Sequence, residues 1–60
     1  MDDDVEHVER AAREAIEQFG DGAVSVLRER AEVADHIGDL LAAEAWRDIA
    51  DAAELLLQRC

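Results

Sequence analysis

The chain has 60 residues, with sixteen acids against six arginines, no lysine, and a formal net charge of −10. This length allows one domain, residues 1–60, which buries only about 60% of the surface its unfolded form exposes, so a staple, a metal or a partner is expected to help it. The acidity excludes a nonspecific grip on nucleic acid or on an anionic membrane, both of which need a basic face. A single cysteine, Cys60, excludes an internal disulfide, and no Cys/His cluster points to structural zinc.

Ala, Leu, Glu and Arg dominate, and proline and threonine are absent, so the chain reads as all-α. It is punctuated twice in the same way, by Phe19-Gly20-Asp21 and by Ile37-Gly38-Asp39. Glycine suits the left-handed position just past a helix, and aspartate can cap the free N–H groups of the next one. These Gly-Asp turns predict three helices at about 3–19, 22–37 and 39–59. Connections this short predict antiparallel neighbours. At the N-terminus, Asp3 with Glu6 resembles a capping box, and Asp2, Asp3 and Asp4 suit the positive end of the helix dipole.

The first helix carries one apolar stripe, Val5, Val8, Ala12, Ala15, Ile16 and Phe19, opposite a charged side. That side holds Glu6–Arg10, Glu9–Arg13 and Arg13–Glu17 at four-residue spacing, which suits helical ion pairs. The second helix places Ala23, Val26, Leu27, Val33, Ala34 and Ile37 on one side. Arg30 falls among them, either reaching out along its alkyl stem or meeting a carboxylate at an interface.

The third helix sets a polar stripe, Glu44, Arg47, Asp48, Asp51, Glu54 and Gln58, against a wide apolar face. That face comprises Ala42, Ala45, Trp46, Ile49, Ala50, Ala53, Leu56 and Leu57, with Leu40 and Leu55 outside it. An outer helix needs an apolar stripe only somewhat wider than ~100°. The third helix is therefore predicted to be central, with a second chain covering what two neighbours leave open. The resulting fold is a dimeric helical bundle.

Chemistry-bearing residues are sparse. Ser25 is the only serine, and His7 and His36 fall on predicted solvent faces. Glu32 and His36 have the spacing of a metal-binding pair but no third ligand, and His36 also suits a helix C-terminus. No catalytic, cofactor-binding or metal-binding residue is assigned, and the chain is read as a non-enzyme. Cys60 reads as an apolar helix-end residue.

"VLRERAEVADHIGD" and "AEAWRDIADAAELLL" resemble short uncharacterised helical proteins of alphaproteobacterial genomes, over about residues 5–59. The resemblance implies a bacterial, cytoplasmic origin and no activity. Gly38-Asp39 followed by Ala43 and Ala50 is similar to the turn and second helix of a tetratricopeptide repeat. Arg30 and Arg47 stand where that pattern has large apolar residues, and its closing proline is missing. The similarity implies only two antiparallel helices around a glycine turn.

The expected function is a self-associating protein–protein interaction module, an adaptor or small regulator, partnered by itself as a homodimer and by another protein. Its interface is placed at Leu40, Trp46, Ile49, Leu55, Leu56, Leu57 and Arg30. The alternative is an acidic inhibitor of the phage type. In that reading Glu44, Asp48, Asp51 and Glu54 imitate nucleic-acid phosphates, and Arg47 interrupts them. Direct nucleic-acid binding and membrane insertion are not expected. The acidic start MDDD lacks the pattern of a signal peptide, so a cytoplasmic location is expected.

Overall fold

A computed structural model describes the backbone of residues 3–59 and the side chains of residues 6–59. The capping box of Asp3, the burial of Val5 and the role of Cys60 lie outside the described residues. The chain is all-helical, with no strand among the described residues: α1 Asp3–Phe19, a 3-10 turn Gly20–Gly22, α2 Ala23–His36 and α3 Leu40–Arg59.

The two Gly-Asp signals behave differently. At the second, Gly38 takes φ +85 and closes α2 in a Schellman arrangement. The Asp39 N–H donates to the Ala34 carbonyl at 2.8 Å and the Gly38 N–H to the Asp35 carbonyl at 3.1 Å. Asp39 then starts α3: its Oδ1 accepts from the Ala42 N–H at 3.2 Å, and its carbonyl accepts from the Ala43 N–H at 3.0 Å. One residue thus ends one helix and caps the next.

At the first signal the expected break between two separate helices is bridged by the 3-10 turn. Gly20 has the left-handed φ of +59, as a helix-ending glycine should. Asp21, however, lies inside the turn, and the residue that precedes α2 is Gly22, with φ −81 and ψ −3 and no side chain to cap with. A capping side chain needs an extended backbone at its own position, and here the backbone is already helical. The chain therefore runs as two helical stretches, 3–36 and 40–59, the first bent at Gly20.

α3 packs on both α2 and α1, most extensively on α2, while α1 and α2 touch each other less. The interior is made almost entirely of alanine. Ala12, Ala15, Ala23, Ala31, Ala34, Ala43, Ala50 and Ala53 are buried, and Leu27 is the one larger buried residue among those described. Ile16, Val24, Trp46, Ile49 and Leu56 pack around this centre while remaining half-buried. The molecule measures 34 × 29 × 16 Å, its shortest dimension about two stacked helices.

Candidate interaction surface

Alanine in the α2–α3 contact decides where the larger side chains go. Small residues let two helix backbones approach closely, and bulkier neighbours are displaced to the rim of the contact. On α2 the buried line is Ala23, Leu27, Ala31 and Ala34. Ala23, Leu27 and Ala34 of the apolar side read from the sequence lie on that line, with Ala31 added, while Val26, Val33 and Ile37 of the same side fall outside it. Val33 is 57% exposed and Ile37 74% exposed. Phe19, expected on the packed stripe of α1, is also exposed. On α3, Ala43 is buried and Ala45 is exposed, the reverse of the expected face.

The displaced side chains form a surface. One shallow groove runs between α2 and α3, with Val26, Val33, Ile37, Ala42 and Trp46 in its walls. A second adjoins α1, with Ala15, Phe19 and Leu27 in its walls. Both share Val26, Arg30 and Trp46, so the two grooves make one continuous apolar face centred on Trp46.

Arg30 stays exposed, in line with the reading that it reaches out along its alkyl stem, and it adds a contact that reading did not include. Its guanidinium carbon lies 5.3 Å from the centre of the Trp46 ring. That is a cation–π contact, worth about 0.5–1 kcal/mol at an exposed site. It keeps a charge in the middle of an apolar face without burying it, since the Arg30 side chain remains exposed.

The other residues of the expected interface do not join this face. Leu40 and Leu55 are each 63% exposed. Fifteen residues of helix separate them by about 22 Å along α3, too far to share one patch. Ile49 and Leu56 pack on the interior. Leu57 lines a separate apolar groove with Leu56 and Ile16, between α1 and the end of α3. Sequence reasoning passed over Leu41, which is 83% exposed.

The paired charged groups are about half exposed or more, and Arg28 and Arg47 pair across helices. Arg28 of α2 donates to Glu54 Oε1 at 2.7 Å and lies 3.8 Å from Asp51. Arg47 lies 4.0 Å from Asp35, and Arg13 pairs with Glu9 at 2.9 Å. Two of the four acids in the α3 stripe thus face a cation supplied by α2. His7, Ser25 and His36 are all exposed. His7 stands on α1, and Ser25 and His36 are about 16 Å apart along α2. No three His, Cys, Asp or Glu side chains converge as a metal site would require among the described residues. No helix among those residues is long and apolar enough to cross a membrane.

Comparison with protein-family models, curated proteins and solved structures yields no match to the chain.

Proposed function

We propose that this chain is a small acidic interaction module that acts by associating, first with itself as a homodimeric helical bundle and through that assembly with another protein. The observation that carries the reading is the apolar surface left outside an alanine interior: Val33, Ile37, Leu40, Leu41 and Leu55 are all more than half exposed.

The reading assigns no catalytic step and no cofactor. The acidic-mimic alternative draws on the same α3 helix, but Arg28 sits against Asp51 and Glu54 and interrupts the run of negative charge. Apolar association therefore has the better support.

Light scattering from dilute to concentrated solution, at low and at high salt, tests the proposal. The expected mass is twice that of one chain and insensitive to salt, because screening weakens exposed charge pairs but not apolar contacts. A mass of one chain at every concentration overturns it.

A further inference from the structure

We propose that the groove between α2 and α3 receives an amphipathic helix of another protein, one that carries cationic residues beside its apolar stripe. The inference rests on the interaction-module reading above and names the kind of partner.

The shape of the groove fits a helix. Its α2 wall is the ridge Val26, Arg30, Val33 and Ile37, and its α3 wall is the ridge Asp39, Ala42 and Trp46. Both ridges advance in steps of three and four residues, and the α2 ridge is about 16 Å long, or three helical turns. The buried Ala34 leaves the furrow between them open. A further helix packs into such a furrow with apolar anchors at the same spacing.

Charge selects the kind of helix. Glu29 and Asp39 stand in the walls without a cationic partner among the described residues, and the one arginine, Arg30, lies over the Trp46 ring. The adjoining groove adds Glu14 and no further cation. The apolar grooves at Leu55 and at Leu57 are balanced instead, with Glu9 beside Arg59 in one and Glu17 beside Arg13 in the other. Continuity does not separate these grooves, and net charge does. Lysines or arginines flanking an apolar stripe would meet the excess carboxylates here. No helix of this chain is such a ligand, because acids outnumber arginines in each: six to two in α1, three to two in α2 and four to two in α3.

The test uses the full chain and a synthetic peptide of about fourteen residues, long enough to follow three turns. The peptide is alanine-based, with a leucine stripe at helical spacing, flanking lysines and no tryptophan. Trp46 is the single tryptophan of the chain, so its emission reports on this groove. The expected result is a saturable blue shift as the ring loses water, with an affinity that falls as salt rises. A twin peptide with glutamate for lysine should bind about tenfold more weakly or worse. Glu29→Lys and Val33→Asp, both at exposed sites, should each weaken binding of the lysine peptide by about tenfold or more. Leu55→Asp, in the groove with Glu9 and Arg59, should leave it unchanged.

No shift with the lysine peptide, or a shift that survives Glu29→Lys or Val33→Asp, overturns the inference. So does binding that Leu55→Asp abolishes. Circular dichroism checks that each variant keeps its helix content. Should Val33→Asp reduce it, Ile37→Asp, at a still more exposed site, must show the same weakening. Sedimentation equilibrium of the chain alone separates this inference from self-association. A single mass with peptide binding defeats the homodimer and leaves the groove standing, whereas a dimer that ignores the peptide defeats the groove alone.

Discussion

Replacing Leu27 by alanine tests how an interior made of methyl groups is held together. Leu27 is only 3% exposed and packs among Ala12, Ala15, Ala23, Ala50 and Ala53, which come from α1, α2 and α3. Shortening its isobutyl group leaves a void among alanine methyls fixed to helix backbones, with the half-buried Ile16, Val24, Trp46, Ile49 and Leu56 at its edge able to fill it only in part. The loss therefore falls in the middle of the measured range for buried Leu→Ala changes, about 3–4 kcal/mol. A domain of this length has roughly 3–9 kcal/mol in total, so Leu27→Ala should leave it barely folded. Urea unfolding followed by circular dichroism, at matched protein concentrations because association contributes to stability, measures the change. A loss below about 1 kcal/mol with an unchanged denaturant slope would refute the reasoning, since it would mean that the helices close over the void.

Other substitutions probe the turns and the surface. Gly20→Ala and Gly38→Ala should each cost about 1–2 kcal/mol in thermal or urea unfolding, because both positions have positive φ although both have room for a Cβ. Gly22→Ala, at φ −81 and in open space, should instead stabilise by about 0.5–1 kcal/mol. Asp39→Ala should cost about 1 kcal/mol through loss of its bond to the Ala42 N–H, whereas Asp21→Ala should change unfolding by less than about 0.5 kcal/mol. Arg28→Ala should cost under about 1 kcal/mol, and the cost should shrink in high salt, because its ion pairs with Glu54 and Asp51 are about half exposed.

The helical class and the turn at Gly38 were legible because they depend on local chemistry. A glycine that can adopt positive φ and a run of alanine, leucine and glutamate act within a few residues of themselves. Asp39 was legible as a cap for the same reason. Asp21 was not, because its capping role depends on whether the neighbouring backbone is extended or helical, and the 3-10 turn settled that against it.

The apolar side of α2 was legible at Ala23, Leu27 and Ala34 but not at Val33 and Ile37, for a different reason. A hydrophobic count favours Val33 and Ile37 over Ala31, yet close packing of helices favours the smallest side chain at the contact. Ala31 and Ala43 took the interior, and the valine and isoleucine were left outside. The same preference hid the candidate surface: its residues look like a core in one dimension and become a surface only when alanines on two helices meet. The contact between Arg30 and Trp46 joins residues sixteen positions apart on different helices, and no spacing rule within one helix could have paired them.

The central claim is that the chain associates with a second copy of itself through its exposed apolar side chains. The most direct measurement mixes isotope-labelled and unlabelled chains and records nuclear Overhauser contacts that can arise only between molecules. The account predicts such contacts from the methyl groups of Val33, Ile37, Leu40, Leu41 or Leu55. None at all at millimolar concentration would contradict it.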